Sequence, residues 1–199
     1  ATNIPGYDVA SMVAQFDESI RALQLNNCIL VGHSMTGKVA LALAARRPDY
    51  LKGLILVAPS PPGPQPMSEE DRRSQINYGG SREEAEQFVD TAAGERLPDV
   101  VREIAIRDAR RANLSAWHAW PEAGSREDWS ERIGTVNCPA LLIAGSADDQ
   151  VPSPEDQQKM TLSHLPAGRL EVIAGAGHLM PLQTPQKLAE KMLAFASTL

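Results

Sequence analysis

No stretch of the 199-residue sequence stays apolar for the roughly 18 residues that a membrane-crossing helix needs. Clustered Lys and Arg are also missing. With 19 basic against 25 acidic side chains, a net charge of −6 and a pI near 5.2, the chain lacks the footprint that phosphate backbones require. Nucleic acid and membrane are therefore not expected partners; a small molecule is. The arginine pairs Arg72-Arg73 and Arg110-Arg111 are short and flanked by acids, so they read as solvated helix faces. Cysteine is scarce. Cys28 and Cys138 each precede an apolar run, lack metal-ligand spacing and read as buried free thiols. No internal repeat is present, and no signal peptide is visible, which gives a cytoplasmic expectation. The chain opens on Ala1 rather than Met, so a targeting segment ahead of it stays open.

What is present has a globular balance: 43% hydrophobic and 22% charged residues, at a length that fits one domain with a sizeable core. Helical patterns alternate with short, uniformly apolar runs, the signature of a parallel sheet covered on both faces. Val9, Met12, Val13, Phe16, Ile20 and Leu23 recur at helical spacing and predict a helix over 7–24. Strands are predicted at 27–32, 53–58, 140–144 and 169–173. Helices are predicted over 36–47, from Ser153 and from Pro185. Between the second and third strands, PPGPQP at 61–66 reads as a stiff extended hinge. A polar, helical stretch follows over 67–135. It holds Trp117, Trp120 and Trp129, and a capping box from Ser81 to Glu84.

The first strand runs into Gly32-His33-Ser34-Met35-Thr36-Gly37 and then into a helix. A serine at such a turn has the setting of a nucleophile elbow, in which a strained backbone lifts the hydroxyl above the sheet edge. Gly32 supplies the small residue two positions before the serine; two positions after it, Thr36 stands where Gly is usual. The Met35 amide, at the helix N-terminus, is placed to stabilise an oxyanion. The alternative is that Ser34 merely caps the helix.

A serine hydroxyl needs a base. Of four histidines, His33 adjoins Ser34, with its ring expected to project away from the hydroxyl and support the turn. His118 lies in the polar insertion and His164 at the end of a surface helix. His178, in Gly175-Ala-Gly-His178, follows the last strand and so opens at the same carboxyl edge of a parallel sheet as the elbow. An acid must then orient the imidazole. Asp148 and Asp149 both follow the third strand. Asp148 is preferred because it comes first, three residues after Gly145, with Asp149 facing solvent.

GHSMTG, GSADDQVP and GAGHLMP, in that order, closely resemble the three catalytic segments of the α/β-hydrolase superfamily, and the resemblance covers essentially the whole chain. It implies an α/β core from 1–59 and 139–199 and a helical cap over 60–138 that shapes the substrate pocket. Trp117 and Trp120 become candidates for pocket lining, with packing inside the cap as the other reading. The implied activity is that of a serine hydrolase with Ser34, Asp148 and His178 as catalytic triad and Met35 at the oxyanion hole. It acts on a small carboxylic ester and needs no metal or organic cofactor. A carbon–carbon bond hydrolase, a cofactor-free haloperoxidase, a non-catalytic ligand receptor and an inactive fragment stay open as alternatives. A serine nucleophile speaks against the similar dehalogenases and epoxide hydrolases, which use aspartate.

The resemblance also implies about four strands ahead of the elbow helix and a His-Gly-type loop carrying a second oxyanion donor. The sequence starts after that loop, so the α/β-hydrolase fold is expected to be incomplete at its N-terminus. A separate N-terminal segment or a second copy is expected against strand 27–32. In the family's strand order one strand separates the two that follow Cys28 and Cys138, which implies two free thiols about 9–10 Å apart.

Overall fold

Apolar strands need cover on both faces, and the chain supplies it by alternating strands with helices. A computed structural model describes residues 6–199. Helix α1 (Val9–Ala22), strand β1 (Cys28–His33), helix α2 (Met35–Ala45) and strand β2 (Leu51–Val57) come first. Five helices then intervene: α3 (Glu69–Ile76), α4 (Arg82–Ala93), α5 (Asp99–Arg110), α6 (Leu114–Glu122) and the short α7 (Ser130–Ile133). Strand β3 (Ala140–Gly145), helix α8 (Pro154–Met160), strand β4 (Gly168–Ile173) and helices α9 (Met180–Gln183) and α10 (Pro185–Ala196) follow.

Among the described residues the four strands form one parallel sheet in the order β1-β2-β3-β4. Side chains alternate across it. Leu54, Leu56 and Leu142 pack with Val9, Val13 and Leu41 from α1 and α2. Ile55, Val57, Leu141 and Ile143 pack on the opposite face with Leu188 and Phe195 from α10. The parallel α/β sheet with helices on both faces is thus present as the apolar runs required. β1 stands at the sheet's edge, where Val31 is 46% exposed and no described strand pairs its outer side.

Local chemistry sets the helix starts. The Asp8 carboxylate accepts from the Ser11 amide at 2.8 Å, Ser81 and Glu84 form a reciprocal capping box, and the Ser153 hydroxyl accepts from the Asp156 amide. The helices between β2 and β3 carry a small core of their own, in which Tyr78, Val89 and Ile106 pack with Phe88 and Trp117.

Two sequence expectations change. Arg72 is not on a solvated face but 5% exposed; its guanidinium donates to the Pro121 carbonyl and, at 2.7 Å, to the Ser125 hydroxyl. Pro121 sits in the last turn of α6, where terminal carbonyls have no helical partner, and Arg72 fills that need. Cys28 and Cys138 are free, with β2 between their strands, but half-buried rather than buried.

Lys38 on α2 is fully buried. Its ammonium donates to the Gly63 carbonyl at 2.8 Å and the Glu127 carbonyl at 2.9 Å, so one side chain grips the chain both before α3 and just before α7. The same two segments bond each other, through Trp129 N–H to Pro62 O and Gln65 N–H to Ser125 O. Burial pushes the Lys38 amine down to about 8, partly offset by the Glu127 and Asp128 carboxylates. Because its folded value lies below the ordinary lysine value, the unfolded chain binds more protons between pH 8 and about 10.5. Lys38 therefore adds stability as pH rises through that window. Lys38→Met, which leaves the Gly63 and Glu127 carbonyls without this donor, should lower stability by about 1–3 kcal/mol at pH 7.5. In urea titrations the gap to wild type should widen between pH 8 and 10.5. A variant as stable as wild type, or a gap that narrows with pH, would contradict this role.

Candidate active site

β1 ends where Ser34 begins a sharp turn into α2. Ser34 holds φ 54° and ψ −125°, a backbone conformation that non-glycine residues rarely adopt. Three hydrogen bonds keep it there: Ser34 N–H donates to Val57 O, and the Ser34 carbonyl accepts from the Gly37 and Ser60 amides. The close approach falls at Gly32 and Gly37. A Cβ at Gly32 would lie 2.5 Å from the Thr36 carbonyl, and one at Gly37 would lie 2.5 Å from Pro59 Cβ. Position 36 is not pinched. The Thr36 hydroxyl instead donates to the His33 carbonyl at 2.7 Å and accepts from the His33 amide at 2.9 Å, closing the turn with a side chain where glycine is usual.

His178 arrives from the far side of the sheet. His178 Nε2 stands 2.8 Å from Ser34 Oγ, and His178 Nδ1 stands 3.0 Å from Asp148 Oδ2. The three side chains thus form one continuous hydrogen-bonded line. His178 is 9% exposed and the Asp148 side chain 2% exposed, so the pair is shielded from water. Asp148 Oδ1 also accepts from the Gln150 amide, while the Asp149 carboxylate takes the Gln150 side-chain amide at the exposed rim. The two aspartates thus face different ways, Asp148 towards His178 and Asp149 towards the rim. The Met35 amide opens α2 and has no acceptor one turn earlier in the helix.

Trp117 and Trp120 both reach the space beside Ser34, but only Trp117 packs in the small core of the helices between β2 and β3; Trp120 packs against the main core. With Met35, Met67 and Phe88 they line a cavity of about 340 Å³ that reaches Ser34 and His178. Trp117 also stacks on Tyr78 at 4.2 Å, and Trp120 lies 5.6 Å from the Lys38 ammonium. Met67 and Phe88 carry no sequence signal that marks them as lining. Among the described residues there is no group of three or more His, Cys, Asp or Glu that could hold a metal ion.

Sequence reasoning also missed the support beneath His178. The His178 and Leu179 amides donate to the Ala92 carbonyl at the end of α4. Gln183 bridges the same junction, accepting from the Gly177 amide at 3.0 Å and donating to the Ala93 carbonyl. Gly177 has to be glycine, because a Cβ there would run into the Ala93 backbone carbonyl. Gly177→Ala should push His178 away from Ser34. A misplacement of about 1 Å is expected to cost near 100-fold in turnover while the fold persists. Far-ultraviolet circular dichroism alongside ester assays checks this, and wild-type turnover in the variant would refute the close packing.

Comparison with known proteins agrees with the fold. Residues 2–191 match the family model of the alpha/beta hydrolase family. The sn-1-specific diacylglycerol lipase of Mus musculus is 26% identical over 196 residues, covering 87% of this chain and 60% of that protein. The strigolactone esterase of Arabidopsis thaliana is 27% identical over 190 residues, covering 86% and 66%. The chain thus spans about 60% of the mouse relative's length. An esterase from Exiguobacterium antarcticum superposes with a TM-score of 0.83 at 23% identity, covering 96% of this chain and 75% of that one. With an α/β sheet, a strained serine elbow and a matching family model over almost its full length, this chain belongs to the alpha/beta hydrolase family.

Proposed function

We propose that the chain hydrolyses a small carboxylic ester by acyl transfer, with Ser34 as nucleophile, His178 as base and Asp148 as the group that orients the base. The observation that carries this reading is the unbroken hydrogen-bonded line from Ser34 Oγ through His178 to a buried Asp148. Ser34 Oγ attacks the ester carbonyl as His178 Nε2 takes its proton. Asp148 holds the Nδ1–H tautomer and stabilises the imidazolium. The Met35 amide donates to the oxyanion. The imidazolium then gives its proton to the leaving alcohol, and water attacks the acyl-serine with His178 again as base. Every proton in this cycle passes through His178, and the scheme draws on no metal or organic cofactor.

The apolar cavity beside Ser34 supports an ester over a strongly charged substrate: Met35, Met67, Phe88, Trp117 and Trp120 bring surface that gains from burying hydrocarbon. Relatives named as lipases and esterases point the same way. The helices that carry most of this lining act, in this reading, as the cap over the site.

Two sets of variants test the proposal on p-nitrophenyl butyrate. Ser34→Ala should lose about a millionfold in turnover with its fold kept, and retention above about a thousandth of wild type would remove Ser34 from the role. Asp148→Asn should cost about 10,000-fold through the wrong imidazole tautomer, while Asp149→Asn changes turnover little. The opposite ranking would transfer the role to Asp149.

A further inference from the structure

His33 was expected only to support its own turn, yet its side chain reaches the loop that carries the base. His33 Nε2 lies 2.9 Å from the backbone carbonyl of His178, and the two imidazoles sit 5.0 Å apart, tilted by 34°. A carbonyl can only accept, so His33 Nε2 carries the hydrogen and donates. The His33 backbone is itself clamped, its amide and carbonyl both bonded to the Thr36 hydroxyl. The ring therefore projects from a rigid base. On the other side of His178, its amide donates to Ala92 on α4. Both polar groups of the His178 peptide are thus tied, one to the helical insertion and one to the elbow.

This tie spans a real gap. β1 and β4 lie at opposite edges of the described sheet, three strand spacings or about 14 Å apart. Ser34 follows the first and His178 the last, so nothing in the sheet's own register fixes the distance between them. We infer that His33 is a positioning residue that sets the Ser34–His178 geometry by donating a hydrogen bond from its ring, next to the nucleophile, to the peptide carbonyl of the base. His33 does not line the substrate cavity, so it acts on the chemical step and not on binding.

Charge adds a second reason for an imidazole here. Burial, reinforced by the nearby His178, pushes His33 down to about 4. It stays neutral when His178 takes the serine proton, so no second positive charge opposes the imidazolium. Asp148 faces the same pair from the loop after β3 and acts in the opposite direction.

The inference rests on the acyl-transfer reading, and its test keeps the two apart. His33→Gln keeps a side-chain N–H that can reach the His178 carbonyl; His33→Leu has similar bulk and no donor. Steady-state turnover of p-nitrophenyl butyrate is measured per active site, with sites counted by stoichiometric fluorophosphonate labelling so that misfolded protein drops out. His33→Leu should lose about 10- to 100-fold in kcat with KM within about twofold of wild type. His33→Gln should recover most of that loss. Above about pH 5 the profile of kcat/KM against pH should keep the same ionisations in wild type and His33→Gln, because His33 is already neutral there. Equal kcat in the Leu variant and wild type, no advantage of Gln over Leu, or an ionisation in that range lost on substitution would each overturn the assignment. If wild type itself fails to turn over the ester, the acyl-transfer reading fails first.

Discussion

Ser34 holds a backbone conformation with φ at 54°, and everything around the site is arranged to keep it there. An L-residue in that region costs on the order of 1–3 kcal/mol, so it persists only when its surroundings over-determine it. Here they do. The parallel pairing of β1 with β2 brings the Val57 carbonyl to the Ser34 amide. Gly32 and Gly37 let strand, helix and the end of β2 close to contact distance. The Thr36 hydroxyl closes the turn with two hydrogen bonds to the His33 backbone. The strain sets the half-buried Ser34 hydroxyl at the carboxyl edge of the sheet, beside the start of the helix that opens on the Met35 amide.

The helices between β2 and β3 are more than cover for that hydroxyl. The end of α4 supplies the carbonyls that hold the His178 loop, and Gln183 locks the same junction. Lys38, one turn after Ser34 on α2, fastens the segments at Gly63 and Glu127 to the core. Cavity wall, His178 and Ser34 are therefore coupled through backbone groups. A shift of α4 would move His178 as well as the substrate lining.

Much of this was legible in the sequence. Four apolar runs marked the strands, and three short motifs pointed to Ser34, Asp148 and His178, which the fold brings into one hydrogen-bonded line. The separation of Asp148 from Asp149 was legible too: loop position decides which carboxylate turns inward. The illegible parts are all long-range. Arg72 reads as a surface residue until α3 is set against the end of α6 and the Pro121 carbonyl appears beside it. Lys38 looks like an ordinary helix lysine until residues 63 and 127 converge on it. His33 and His178 are 145 residues apart, and only the completed sheet brings the ring of one to the peptide of the other.

The central claim is that Ser34 becomes acylated during turnover. Rapid acid quench of the protein in the first turnovers of p-nitrophenyl butyrate, followed by digestion and peptide mass analysis, measures this directly. The account predicts a butyryl group on the peptide containing Ser34, formed in step with a burst of p-nitrophenol and lost as butyrate appears. Steady turnover with no acyl group on Ser34, or an acyl group carried by another residue, would contradict it.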